Sequence, residues 1–272
     1  MNNQDMTTKT KIDQKRSKKE KAISMLKDER LDTIMGLITE RKYITVDELT
    51  KKLHYSPATV RRDITQLVKL GYAKKSYGGV CLNEHARPII IREHEGVPEK
   101  ERICRKAAEL VHDNDTVFIA GSSTTFHLGK YLAKKKDVTV ITTDTRLALD
   151  LEGRGVRCYL TGGLMKDGML NGYFAVAALR QMRYDICFFS ATGLSGDGEI
   201  TVVSEEFGMM LDEIFRRSER RVCLCTDAKF GRSAFFSVGT LDKVSCLISN
   251  VPADRTLTER YDKTEFLVSD AM

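Results

Sequence analysis

Apolar residues in the first third of the chain recur at helical spacing. Leu31, Ile34, Met35 and Ile38 form one stripe, which predicts a helix over roughly 27–41. Val46, Leu49 and Leu53 form a second, opened by Thr45 and Glu48 in the spacing of a capping box. Val60, Ile64 and Leu67 fall at i, i+4 and i+7 and give a third. Ser56 suits its N-cap and Pro57 its first helical position, and Gly71 ends it. From Ala73 to Ser76 the pattern changes to a short strand, followed by Gly78-Gly79, which permits a tight turn. Beyond Pro98, helical stretches alternate with short apolar runs. The runs are 116–120, 138–142, 156–160, 186–190, 222–226 and 244–248. The helical stretches are 99–111, 125–134, 145–151, 172–182 and 204–218. This alternation predicts an α/β fold with a mainly parallel sheet covered on both faces. The segment 83–94, with Pro88 and Ile89-Ile90-Ile91, reads as a linker carrying a strand or a docking surface.

The polar positions then give the first third a purpose. Thr59, Arg61 and Arg62 lie off the apolar stripe at the start of the third helix, where a recognition helix presents its base-reading and phosphate-clamping side chains. Lys74 and Lys75 sit on the strand before Gly78-Gly79. Helix, turn, helix and basic hairpin together predict a winged helix-turn-helix that binds double-stranded DNA through Ser56, Thr59, Arg61, Arg62, Lys74, Lys75, Gly78 and Gly79. A helical hairpin with a merely solvated charged face is the plain alternative. Charge supports DNA: residues 1–80 hold 18 Lys+Arg against 10 Asp+Glu, a balance of +8 in a chain of net +6, which leaves −2 for the rest. The first 26 residues, polar and lysine-rich, read as a disordered basic arm, and a solubilising tail fits equally well.

At 272 residues the chain accommodates one small and one larger domain. The boundaries expected are an arm at 1–26, a winged helix-turn-helix at 27–82, a linker at 83–97 and an effector-sensing, oligomerising domain at 98–272. No apolar run is long enough to span a bilayer, and the N-terminus lacks a signal-peptide pattern. Seven cysteines in mostly apolar contexts read as reduced thiols of a cytoplasmic protein, and Cys223 and Cys225 lack C-x-x-C spacing. The five histidines form no ligand pattern, so neither a metal nor another cofactor is expected.

Ligands of such sheets bind beyond the carboxyl ends of the strands. The segments leaving those ends are Gly121-Ser122-Ser123-Thr124-Thr125, Thr143-Asp144-Thr145, Thr161-Gly162-Gly163, Ala191-Thr192-Gly193 and Asp227-Ala228-Lys229. The first opens a helix with small hydroxyl residues and, on this reading, free amides suited to phosphate. A small anionic effector is therefore expected on Gly121, Ser122, Ser123, Thr124, Thr125, Asp144, Gly162, Gly163, Gly193 and Lys229. Each segment taken singly is equally an ordinary cap or structural pair.

The residues Ser56-Pro57-Ala58-Thr59-Val60-Arg61-Arg62-Asp63-Ile64, with Leu67, Gly71 and Gly78-Gly79, resemble the DNA-binding signature of the DeoR family of bacterial transcription regulators. Ser122 to Thr125, Gly162-Gly163, Gly172, Asp185, Gly193 and Lys229-Phe230-Gly231 resemble that family's sensor domain, which is similar in fold to ribose-5-phosphate isomerase. The resemblance spans about Arg30 to Asn250. It implies a cytoplasmic homo-oligomeric repressor, dimer or tetramer, tuned by a phosphorylated sugar or related metabolite. The chain departs from the family pattern at four places. Ala120 stands where an acid is usual, Thr143 interrupts the Thr-Asn-Ser/Asp segment, Leu211 stands where a lysine is usual, and Thr226 displaces the acid before Lys-Phe-Gly. The competing reading is a sugar-phosphate isomerase with a fused DNA-binding module. Isomerisation needs a base at the substrate's α-carbon. Asp144 or Asp227 could serve, but no acid/base pair stands out, and no catalytic residue is assigned.

Overall fold

The computed structural model describes residues 30–31, 33–38, 40–69, 73–82, 89, 92 and 95–269. The arm at 1–26, Gly71, and Ile90 and Ile91 of the linker lie outside the described residues. The chain divides into two compact units, residues 1–87 and 88–272.

In the first unit, helical residues 30–31, 33–38 and 40–41 form α1, followed by α2 (Val46–Leu53) and α3 (Pro57–Lys69). Leu31, Ile34, Met35, Ile38, Leu49, Val60, Ile64 and Leu67 are all buried, so the three stripes meet in one core. Thr45 caps α2 reciprocally: its Oγ1 accepts from the Glu48 amide at 3.1 Å, and the Glu48 carboxylate accepts from the Thr45 amide at 3.0 Å. The wing has three strands rather than the expected hairpin alone. β1 (Tyr43–Thr45), β2 (Ala73–Ser76) and β3 (Gly79–Leu82) form an antiparallel sheet in the order β1-β3-β2. Ile44 is fully buried opposite Val80, and Lys42 turns the chain into β1 with a φ of 65°.

The second unit is built on seven parallel strands. They are β4 (Thr116–Ile119), β5 (Thr139–Thr142), β6 (Arg157–Leu160), β9 (Tyr184–Phe189), β12 (Ser218–Cys225), β14 (Cys246–Ser249) and β15 (Glu265–Val268). Their order is β15-β14-β12-β9-β4-β5-β6. A hairpin of β7 (Leu164–Lys166) and β8 (Met169–Asn171) follows β6. A small antiparallel sheet holds β10 (Gly193–Leu194), β11 (Glu199–Val202) and β13 (Phe236–Thr240). The helices are α4 (Val97–Glu109), α5 (Gly129–Leu132), α6 (Thr145–Gly153), α7 (Tyr173–Leu179), α8 (Glu205–Arg217) and α9 (Arg255–Arg260).

Side chains alternate across a strand, so each strand feeds two cores. Val117, Ile119, Ile186, Phe188, Val222 and Leu224 pack with Ile103 and Ala107 of α4 and Leu147 and Leu151 of α6. Phe118, Ile141, Cys187, Phe189, Cys223 and Cys225 pack with Leu179 of α7, Met210, Leu211, Ile214 and Phe215 of α8, and Leu194, Ile200 and Val238 of the small sheet. The inner strands are buried on both faces and need near-continuous apolar sequence, which is how they read, whereas the edge strands β6 and β15 are largely exposed. Two expectations are corrected here. Ile89 is helical, so the segment does not form a strand at that residue. The stretch from Thr125 is a 3-10 turn, Thr125–Leu128, running into the short α5.

Candidate DNA-binding surface and anion site

At the head of α3, Ser56 Oγ accepts from the Thr59 amide at 3.2 Å and lies 2.9 Å from Thr59 Oγ1. Ser56 and Thr59 thus fix where the helix begins, and Thr59 is half-buried. Arg61 and Arg62 follow on the exposed face, and Lys74 and Lys75 are exposed on β2. None of these four cations is held in an ion pair among the described residues. One position inward, Asp63 is buried and bound by both arms of Arg30, the longer bond being 3.0 Å. Arg30 also lies 4.6 Å from the Tyr55 ring centroid. This pair ties α1 to α3 and leaves the two arginines of the surface free. Gly78 takes a left-handed φ of 70° in the wing turn. Gly79 is buried, and a Cβ there would collide with the Ile44 carbonyl oxygen and the Tyr43 ring, so its role is close packing.

In the second unit, Lys229 follows β12 in a short 3-10 turn, Asp227–Lys229. Its ammonium donates to Ser190 Oγ, at the carboxyl end of β9, and to Thr124 Oγ1 at 3.3 Å. Ser190 Oγ in turn donates to the Leu224 carbonyl at 2.5 Å. Thr124 is fully buried and Ser190 nearly so. Burial pushes the Lys229 ammonium below the ordinary lysine value of 10.5. Among the described residues no carboxylate pairs with it, and two hydroxyls use two of its three donors. Asp227 is turned to Asn250 instead, at 2.8 and 3.0 Å.

The Ser122–Thr125 loop is organised differently from the sequence expectation. Ser122 Oγ accepts from the amides of Thr124 at 3.2 Å and Thr125 at 3.0 Å, so those two amides are already bonded. Thr125 Oγ1 donates to the Ala120 carbonyl at 2.6 Å. What the loop offers is hydroxyls placed beside Lys229. Gly121 lies close to its neighbours: a Cβ there would displace the end of the Met169 side chain of β8 and approach Asp144 Cβ to 3.0 Å. Asp144 is fully buried and caps α6 through the amides of Arg146 and Leu147 at 3.0 and 3.3 Å. It also binds the Arg146 guanidinium at 2.7 and 3.1 Å. A cation at a helix N-terminus opposes the dipole, and Asp144 offsets it. Gly162 and Gly163 carry φ values of 76° and 119° in the exposed turn between β6 and β7. Gly193 is buried against the Arg232 backbone in β10. Thus Gly121, Ser122, Thr124, Thr125, Asp144 and Lys229 are linked by bonds or direct approach. Ser123 is buried beside them, and the three other glycines shape neighbouring turns.

Sequence reasoning missed Ser190, whose only signal was a small hydroxyl residue ending an apolar strand, and Arg146, two residues after Asp144. At the departures, Ala120 and Leu211 are fully buried and Thr143 and Thr226 nearly so. Leu211 belongs to the apolar core of α8 and brings no charge to the rim. A separate cavity of about 430 Å³, lined by Lys135, Asp137, Glu152, Arg154 and Arg157 among others, lies beside the amino ends of β5 and β6, away from Lys229. All seven cysteines are unbridged. Among the described residues there is no cluster of three or more potential metal ligands, and no helix is long and apolar enough to cross a membrane.

Comparison with known proteins bears on both sites. Residues 30–86 match the model of the DeoR-like helix-turn-helix domain, and residues 95–251 match that of the DeoR C terminal sensor domain. The chain is 30% identical to the lactose phosphotransferase system repressor of Streptococcus mutans, over 89% of this chain and 100% of that protein. It is 25% identical to the glycerol-3-phosphate regulon repressor of Escherichia coli, over 84% of this chain and 92% of that protein. Among solved structures, ribose 5-phosphate isomerase A from Neisseria gonorrhoeae aligns at 16% identity with a TM-score of 0.37, covering 49% of this chain and 53% of that one.

Proposed function

The chain belongs to the DeoR family of transcriptional regulators, and from that premise we propose that its operator affinity is set by a small phosphorylated ligand, a sugar phosphate or close relative, held at Lys229. It is a DNA-binding regulator and not an isomerase; the two relatives above are both named as repressors. Its partner through the first unit is operator DNA, and we place the protein in the cytoplasm with that DNA. We propose the division of labour expected from the sequence, with an arm at 1–26, a DNA-binding domain at 27–82, a linker at 83–97 and a sensor from 98 onward.

The observation that carries the effector reading is the Lys229 ammonium, desolvated and, among the described residues, bonded to hydroxyls alone. A half-buried, desolvated cation without a carboxylate is costly unless an anion arrives to offset it. Thr124 and Ser190 flank it with hydroxyls that turn to suit such an anion. The names of the relatives, one of a phosphotransferase system and one of a glycerol-3-phosphate regulon, support a phosphorylated metabolite. A panel of sugar phosphates, with the free sugars as controls, tests this by thermal shift and by the change in operator affinity. Silence across the phosphorylated set, or an undiminished response in Lys229→Gln, rejects it.

We also propose a homo-oligomer formed through the second unit. β6 is an edge strand whose adjacent residues Tyr159 and Leu160 are both exposed, although Cys158 packs against the core. Leu164 and Met165 on the following hairpin and Tyr173 and Phe174 at the start of α7 are more than 60% exposed. Exposed apolar clusters of this kind mark interaction surfaces. Sedimentation of the wild type against Tyr173→Glu/Phe174→Glu tests it, and an unchanged mass rejects this surface.

A further inference from the structure

We propose that Tyr77, at the tip of the wing, is a DNA contact whose ring packs against the deoxyribose wall of the minor groove beside the major groove entered by α3. Tyr77 is 99% exposed, more than any other large apolar or aromatic side chain described. A single exposed aromatic is ordinary by itself. This one differs in what holds its backbone. Tyr43 Oη donates to the Tyr77 carbonyl at 2.8 Å, and the Val46 amide at the head of α2 donates to the Gly78 carbonyl at 3.1 Å. Gly79 is wedged against Ile44 and the Tyr43 ring, and Ser76 pairs with Gly79 across the turn. The tip is therefore braced on both sides by the body of the domain, while the side chain it carries stands almost wholly in solvent. A rigid pedestal under a ring that does no packing points to a partner outside the chain.

The neighbours identify that partner. Lys74 and Lys75 lie on β2, which leads into Tyr77, and both are exposed, as are Arg61 and Arg62 on α3. A polyanion that draws these cations brings its backbone to the wing. There, a flat amphipathic ring covers sugar while its hydroxyl reaches a phosphate oxygen. Minor-groove contacts from a protrusion beside a recognition helix are an established geometry for DNA-binding modules.

The chain contains no tryptophan, so Tyr77→Trp creates a single, site-specific fluorophore. On titration with operator duplex, with binding followed independently by mobility shift, the emission of this indole should change and its quenching by iodide should fall. Emission and iodide access that stay at their DNA-free values when the protein is fully bound would overturn the proposal. Tyr77→Ala should keep the melting temperature of the wild type, because the side chain does no packing, and should weaken operator binding roughly tenfold, as loss of one aromatic contact does. Tyr77→Phe should keep most of the affinity. Wild-type affinity in Tyr77→Ala would also overturn the contact. Arg61→Ala in parallel separates failure of Tyr77 from failure of the α3 assignment: loss of binding in Arg61→Ala alone leaves α3 in place and removes the wing tip.

Discussion

The same four-residue device occurs in both units and does opposite things. Ser56 caps α3 by accepting from the Thr59 amide, with the two hydroxyls 2.9 Å apart. Ser122 caps its turn by accepting from the Thr125 amide, with the two hydroxyls 2.8 Å apart. At Ser56 the cap faces water, and the cations beyond it, Arg61 and Arg62, are exposed and unpaired among the described residues. Around Ser122 the loop is largely buried, and the cation it meets, Lys229, is desolvated. On the proposed reading, the contrast teaches how one chain would distinguish two anions. A polymer would be met by several exposed charges, each weak and screened by salt. A small ligand would be met by one charge in a site where each interaction counts for more because water is scarce.

The largest expected effect falls on the scaffold of the first region. Arg30→Ala strands the buried Asp63 carboxylate, at a cost of about 3–5 kcal/mol. Calorimetry should show the DNA-binding transition lost or sharply lowered and the sensor transition unmoved; a single shared shift would mean that the units do not melt separately. Next come the exposed cations. Arg61→Ala and Arg62→Ala should each lose about 1–3 kcal/mol of operator binding with the fold intact, and wild-type affinity in both would detach α3 from the bases.

At the half-buried Lys229, substitution Lys229→Gln should remove the coupling between ligand and operator, about 1–3 kcal/mol, while leaving unliganded operator binding as it was. Its pH dependence has a definite sign. The folded pKa lies below 10.5, so the charged form is lost earlier than in a free lysine. Phosphate affinity should fall as pH rises, with a midpoint below 10.5. Without ligand, the sensor should gain stability as pH rises from the folded pKa toward 10.5, because there the unfolded chain binds more protons. A flat profile from calorimetric titration would remove Lys229 from the site. The smallest effect belongs to the wing. Lys74→Ala/Lys75→Ala should flatten the log–log salt dependence by up to about two units, with little change in preference for operator over random DNA.

Legibility in the sequence follows the range of the signal. The helix-turn-helix is readable because its caps and stripes are local, three or four residues apart. The inner parallel strands are readable as apolar runs because both faces are buried, whereas the edge strand β15, half-exposed at Glu265–Val268, is not. β1 escapes notice because three residues, Tyr43 to Thr45, carry no period, and β10, β11 and β13 because they are short and interrupted by glycine turns. At the anion site, Lys229 and the hydroxyl loop are visible as polar strand ends and through the family likeness. Ser190 is not, since its bonds to Lys229 and Leu224 join segments far apart in sequence. The amides of Thr124 and Thr125, expected free, are bonded, although Ser122 to Thr125 repeats the spacing that is legible at Ser56 to Thr59.

The strand order also sets the sequence of events as the chain leaves the ribosome. The wing closes as soon as Gly79 can pair with Thr45, so the DNA reader is complete early. One edge of β4 pairs with β5, but the other waits much longer: Val117 meets Ile186 only after β5, β6 and the hairpin have emerged, and β12, β14 and β15 follow later still. Non-local parallel pairing is slow, and unfinished sheet edges invite aggregation. Misfolding of this protein is therefore a problem of the sensor sheet, and it arises in chains whose DNA-binding half is already formed.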